Sequence, residues 1–174
     1  MSFIQSNETS KVYAPGYFLA HEECVRETRQ IAQNSALVVT SEDGTKYVPM
    51  GTAYPTNDGN AIGIVYEDVD VTTGNMPGSV VTKGIVYEDR LAITGESYDA
   101  VTPETGDNPA EEGWYERSGS ADSYVYTLTT DTTVGEDKTY YAKSDVRIAS
   151  AAKTALEALG FKFVTDTTVT RPEF

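Results

Sequence analysis

The chain has 174 residues, enough for one domain or for one domain with a small extra module. Its net charge is −14 and its pI about 4.3, so nucleic acid and anionic membranes would repel it, and neither is expected as a partner. One cysteine, Cys24, excludes a disulfide within the chain; no apolar run approaches the ~20 residues that span a bilayer, and no secretory leader is expected in the opening residues.

Thr, Val, Tyr and Gly dominate, a composition that favours strands joined by turns. Residues 1–20 are polar and irregular, punctuated by Pro15 and Gly16, and read as an arm that is loose alone and orders on a partner. "ECVRETRQIA" alternates in part and fits either a strand or a short helix. "ALVVT" and "KYVPMG" bracket "SEDG", which predicts a hairpin of Leu37–Thr40 with Lys46–Met50. "AYPTNDGN", residues 53–60, reads as a loop.

The hexapeptide GIVYED then occurs twice, at Gly63–Asp68 and Gly84–Asp89. Around the second copy Val81, Ile85, Tyr87, Leu91 and Ile93 all fall on odd positions, as on one face of a strand. In the first copy the apolar face reverses between Tyr66 and Val69, which predicts a bulge near Glu67 and Asp68. The repeat is read as two neighbouring strands in similar environments, each ending in an acidic pair at the sheet rim.

Residues 101–143 change in character. A connector rich in Pro, Gly and acids leads into a Tyr- and Thr-rich stretch with three expected strands, Trp114–Arg117, Tyr124–Leu128 and Lys138–Ala142. Nine acids against three bases give it a net −6, as expected of an inserted β-module on an outer surface. "SDVRIASAAKTALEALG" is the convincing helix: Ile148, Ala152, Ala155, Leu156 and Leu159 form one stripe, Ser144 suits the N-cap, Asp145 the first turn and Gly160 the end. Arg147, Lys153 and Glu157 are expected to face water. "FKFV" alternates and is expected to return as a strand.

Little in the sequence demands catalysis. His21, Glu22, Glu23 and Cys24 lack the spacing of a metal site and read as a solvated stretch. The pairs Glu67–Asp68 and Glu88–Asp89 raise glycoside hydrolysis or calcium binding, but adjacent strand residues point to opposite faces, so each pair brings at most one carboxylate to a site. A charged strand end that discourages edge pairing is the simpler reading. Trp114, Tyr115, Tyr124 and Tyr126, with Tyr140 and Tyr141, form either the core of the small module or a stacking platform for sugar. No phosphate-cradling glycine loop occurs, and no cofactor is expected.

The order of "ALVVTSEDGTKYVPMGT", "GNAIGIVYEDVDVTTGNMPGSVVTKGIVYEDRL", a helix and "ALGFKFV" resembles the head decoration proteins of tailed bacteriophages, the family of the lambda capsid-stabilising protein. The likeness covers about residues 35–100 and 144–165. It rests on order and spacing rather than on one short motif, and 101–143 departs from the small family members. It implies a mainly β, β-clip-like core with one C-terminal α-helix, formed by 21–100 and 144–174 and carrying a small inserted β-module at 101–143. It implies a homotrimer that binds the major capsid protein on the outer surface of the virion, as a clamp rather than an enzyme. The arm would pair with an exposed capsid strand through Tyr13, Pro15, Tyr17 and Phe18. The alternative is a virion-displayed module that recognises glycans through Trp114, Tyr115, Tyr124 and Tyr126.

Overall fold

The computed structural model describes residues 14–121 and 123–166. The protein is mainly β, with a single α-helix near the C-terminal end of the described residues. In chain order the strands are β1 (Val25–Ile31), β2 (Val39–Thr40), β3 (Lys46–Val48), β4 (Ala53–Tyr54), β5 (Gly63–Val65), β6 (Val69–Asp70), β7 (Met76–Lys83) and β8 (Ile85–Tyr87). They are followed by β9 (Gly95–Ala100), β10 (Tyr115–Ser118), β11 (Val125–Leu128) and β12 (Tyr140–Val146), then by helix α1 (Ser150–Ala158) and β13 (Lys162–Val164).

The chain divides into two compact units, Met1–Thr94 with Arg147–Phe174, and Gly95–Val146. The inserted unit is wider than the expected 101–143 because β9 and β12 pair along their whole length, from Ala100 opposite Tyr141 to Gly95 opposite Val146. Ladder hydrogen bonds therefore draw both flanks into the insert. The flanking residues of the core unit meet, since the Thr94 hydroxyl donates to the Arg147 carbonyl at 3.1 Å.

The core unit holds three sheets, ordered β1-β7-β5-β4, β2-β3-β6 and β13-β8. One apolar cluster gathers Phe18, Ile64, Val81, Val86, Leu156 and Phe161; a second gathers Ile31, Val48, Val65, Val69 and Val71. The 25–31 segment is a strand and not a helix: it pairs antiparallel with β7, and only Ile31 is buried. The expected hairpin forms between β2 and β3. Asp43 fixes its turn by accepting from the Ser41 hydroxyl (2.7 Å) and the Thr45 amide (3.0 Å). The expected loop 53–60 begins with a short strand, β4, whose Ala53 is buried opposite Ile64.

The two GIVYED copies are not neighbours. The first forms β5, between β7 and β4; the second forms β8, parallel to β13. The face reversal after Tyr66 is not a bulge but a change of sheet, because β5 ends at Val65 and β6 pairs with β3. The alternation expected over 81–93 also fails: β7 ends before Gly84, Val86 is fully buried while Ile85 and Tyr87 are half-buried, and Ile93 is 55% exposed. What the copies share is local. Both glycines are buried, and a Cβ on Gly63 would run into the Val81 carbonyl. Both final aspartates accept a backbone amide, Asp68 from Met50 at 2.7 Å and Asp89 from Asp166 at 3.2 Å.

The N-terminal segment corrects the reading of residues 1–20 as one loose arm. Residues 1–13 lie outside the described part, but 14–20 are built into the core unit. The Gly16 amide donates to the Tyr66 carbonyl (2.8 Å), the Tyr87 amide to the Phe18 carbonyl (2.8 Å) and the Ala20 amide to the Ile85 carbonyl (2.9 Å). Phe18 is 0% exposed, so its ring serves the core and is not free to anchor a partner.

Helix α1 starts at Ser150 rather than after Ser144, because Ser144 and Asp145 extend β12 opposite Ser97 and Glu96. Strand pairing overrides the N-cap signal there. Arg147 is not on the helix and does not simply face water, since it donates to the Leu91 carbonyl at 2.5 Å. The stripe holds in part: Ala152 and Leu156 are fully buried, whereas Leu159, past the helix end, is 49% exposed. Gly160 follows at φ +98°, the left-handed turn that ends helices, and the chain continues into β13 as expected.

Leu156→Ala is expected to destabilise the core unit by about 2–5 kcal/mol and Leu156→Asp to unfold it, because an unpaired charge has no place in that cluster; urea unfolding followed by circular dichroism checks both. Replacing Gly95–Val146 by a two-residue turn is expected to leave the core unit folded, with an NMR spectrum retaining the dispersed methyl signals of its apolar clusters. Collapse of that dispersion would mean that the insert is required for folding.

Candidate functional site

The Gly95–Val146 unit carries most of the aromatic residues singled out by the sequence. Its sheet is antiparallel in the order β11-β10-β12-β9. Residues directly opposite in such a sheet share a face. The pairs Arg117–Tyr126, Tyr115–Tyr141 and Lys143–Tyr98 therefore place Tyr98, Tyr115, Tyr126 and Tyr141 on one face with Arg117 and Lys143. Tyr98 stacks on Tyr126 with centroids 3.9 Å apart and planes 5° from parallel. Tyr115 meets Tyr98 edge-on at 5.2 Å, and Tyr141 meets Tyr126 edge-on at 5.3 Å. The Arg117 guanidinium lies 4.1 Å from the Tyr124 ring centre and 4.9 Å from that of Tyr141.

Trp114 belongs to the other face, where it packs at 5.8 Å against the fully buried Tyr140. A polar network surrounds that ring. The Tyr140 hydroxyl and the Lys138 ammonium both donate to the Asp131 carboxylate at 2.7 Å, and Lys138 reaches Glu116 at 3.2 Å. The Thr129 hydroxyl completes it by donating to Glu116 at 2.6 Å. The hydrogen bond from Lys138, with that from Tyr140, holds the Asp131 carboxyl below its ordinary range. Glu96 is lowered in the same way, first by its hydrogen bond from Lys143 and then by that from Tyr98.

The four residues expected as a glycan platform are thus divided. Tyr115, Tyr124 and Tyr126 lie with the tyrosine face, and Trp114 lies behind it. Trp114, just before β10, packs on Tyr140 while Tyr115 meets Tyr98, so the two do not form one flat platform. The Tyr126 ring is already occupied by Tyr98; Tyr124, 41% exposed under Arg117, is the open member. Tyr98 and Tyr141 complete the face. Tyr98 was missed as a member because β9 precedes the expected insert boundary, although "ESYDAV" has a usable alternation. An open cleft of about 340 Å³ lies between Trp114, Tyr115, Lys143 and Asp145.

Of the arm residues, Tyr13 lies outside the described residues, Pro15 is exposed, Tyr17 is half-buried beside the Arg90 guanidinium at 4.6 Å, and Phe18 is in the core. The acidic pairs serve structure. Asp68 and Asp89 accept backbone amides, Glu88 holds Lys153 at 2.6 Å, and Glu67 is exposed. His21 Nδ1 accepts the Glu23 amide at 3.2 Å. Among the described residues no three His, Cys, Asp or Glu side chains converge as metal ligands, and no helix is long and apolar enough to cross a membrane. Compared with known proteins, the chain has no significant match to a family model, a curated protein or a solved structure.

The lowered carboxyls give the inserted unit an acid-sensitive share of stability. A carboxylate whose folded pKa lies below its unfolded value stabilises fully above the ordinary carboxylate range, and that share is lost as pH falls through the folded value. The Gly95–Val146 unit is therefore expected to lose stability below about pH 4. Asp131→Asn is expected to flatten that dependence. Thermal melts followed by tyrosine fluorescence between pH 7 and pH 2.5 check it, and an unchanged slope in the variant would remove Asp131 from the account.

Proposed function

We propose that the protein is a capsid decoration protein of a tailed bacteriophage. In this reading it binds the major capsid protein on the outer surface of the expanded head as a homotrimer and resists the pressure of packaged DNA. It acts by binding, not by catalysis, and the core adopts a β-clip-like arrangement. The observation that carries the reading is the order of elements in the core unit. Hairpin, loop, first GIVYED strand, second GIVYED strand, helix and last apolar strand follow one another, and β13 returns to pair with the second copy. The net charge of −14 supports a position outside the shell, away from nucleic acid.

Such a clamp works by adding binding free energy that is lost before a seam between shell subunits opens. An interface of ~1,600 Å² is of the standard size for this, and several attachment points on one trimer multiply the effect. Because 14–20 belong to the core unit, the arm proposed for attachment reduces to residues 1–13, with Tyr13 as its aromatic anchor.

Expanded heads lacking their decoration protein are the test. Addition of this chain is expected to saturate the heads and to raise their survival in osmotic shock. Deletion of residues 1–13 is expected to leave circular dichroism unchanged and to abolish attachment. Absence of the protein from purified particles, with no binding to expanded heads, would end the reading. A second reading, glycan capture by the inserted unit, is favoured by one observation, the exposed Tyr124 ring stacked under Arg117. The chain lacking Gly95–Val146 separates the two readings, since it retains head binding in the first and loses mucin binding in the second.

A further inference from the structure

β1 is an end strand of its sheet, and among the described residues β7 is its only strand partner. Six of its seven residues, Val25–Gln30, are exposed. An edge of this length is a template for another strand unless something covers it.

The direction of its backbone groups follows from the neighbouring strands. The Ser79 carbonyl accepts the Tyr66 amide at 2.9 Å, on the β5 side of β7. In an antiparallel sheet the amide and carbonyl of one residue point to the same side, and the side alternates along the strand. Ser79 therefore turns away from its β1 partner Thr28, and the backbone groups of Arg26, Thr28 and Gln30 face the open edge. Gln30 agrees with this: its carbonyl takes the Tyr54 hydroxyl at 3.1 Å instead of a β7 amide, and keeps a second lone pair.

We propose that this edge pairs with the same edge of a second copy, antiparallel about a two-fold axis at Thr28. The sequence VRETRQI is self-complementary in that register. Glu27 of each copy lies opposite Arg29 of the other, Arg26 opposite Gln30, and Thr28 opposite Thr28. The two-fold registers on either side centre on Glu27 or on Arg29 and set like charges directly against each other, which is destabilising. β9, the longest end strand of the inserted unit, has no such pattern, because GESYDA carries two acids and no cation to set against them. Within one copy Arg29 already bridges to Glu27, with side chains 43% and 48% exposed. Such a lone surface pair contributes little, whereas pairing turns two of them into a ring of four alternating charges.

A single seven-residue ribbon falls short of the ~1,600 Å² of a standard interface. Pairing is therefore weak between free molecules, weakened further by salt, and strengthened where copies are held close together. An isologous contact of this kind is separate from the threefold arrangement proposed above, and neither depends on the other.

Sedimentation equilibrium of the full chain up to about 1 mM tests it, at the affinity expected of a small interface. The mass of the wild type is expected to rise toward twice its low-concentration value. Glu27→Arg and Arg29→Glu, each alone and with unchanged melting temperature, are expected to abolish the rise. Mixed in equal amounts the two variants are expected to restore it, because one copy then carries arginine at both positions and the other carries glutamate at both. A wild-type mass constant over the whole range, a rise that persists in both single variants, or a mixture that does not associate overturns the proposal. So does a wild type that never self-associates but loses head binding on Glu27→Arg, an outcome that assigns the edge to the shell protein.

Discussion

The core unit depends on residues 14–20 lying across both GIVYED copies. The segment gives an amide to the first copy at Tyr66, takes an amide from the second at Tyr87, and places the Phe18 ring in the cluster that holds Ile64 of the first and Val86 of the second. Gly16 sits against the Tyr66 ring at φ +76°, where a Cβ would enter the ring and the backbone itself is strained for any other residue. Removing a buried phenylalanine ring costs about 3–5 kcal/mol, against a total of about 5–15 kcal/mol for a typical domain. Arg90 reinforces the segment by lying over Tyr17 and Tyr87 while pairing with Asp166 near the end of β13.

That constraint explains the doubled hexapeptide better than strand pairing does. Each copy meets the same demands although the copies sit in different sheets. Glycine lets a neighbour approach, an aliphatic residue enters an apolar cluster (Ile64 and Val65 in the first copy, Val86 in the second), tyrosine offers its backbone to the strap and its ring to an arginine, and aspartate takes a stray amide. Arg26 lies 4.3 Å from the Tyr66 ring centre, and Arg90 the same distance from that of Tyr87. The likeness of the copies is one of environment at the residue level.

Local signals in the sequence were legible where local chemistry decides. The turn at Asp43–Gly44, the helix stripe at Ala152 and Leu156, the return of "FKFV" and the strands around Tyr115, Tyr126 and Tyr140 follow from spacing alone. What spacing could not carry was choice of partner. The reversal after Tyr66 looks the same whether a strand bulges or leaves for another sheet. Ser144 and Asp145 suit a helix start, but β9 claims their backbone first. Residues 14–20 lack periodicity because they work as a strap, one ring and three backbone bonds at a time. The tyrosine face was half visible: alternation grouped Tyr124 with Tyr126, but Tyr98 entered only through the β9–β12 register.

The two units are stabilised by different physics. The core unit rests on aliphatic clusters, whose burial is indifferent to pH. The inserted unit has few buried aliphatic residues to close a core, as small modules often do not. It substitutes tyrosine rings that satisfy one another edge-to-face and a buried Tyr140 hydroxyl anchored on Asp131. That solution keeps an acidic module folded by giving Asp131, Glu116 and Glu96 cationic partners in Lys138 and Lys143. The core unit also holds carboxyls below their ordinary range, Asp43 through Ser41, Asp58 through Asn60 and Asp70 through Thr72. Each of these bonds stays within its own turn, so protonating these three carboxyls loosens a turn without reaching the apolar clusters. In the inserted unit Asp131 instead joins a buried ring to a lysine, and its protonation reaches the packing itself.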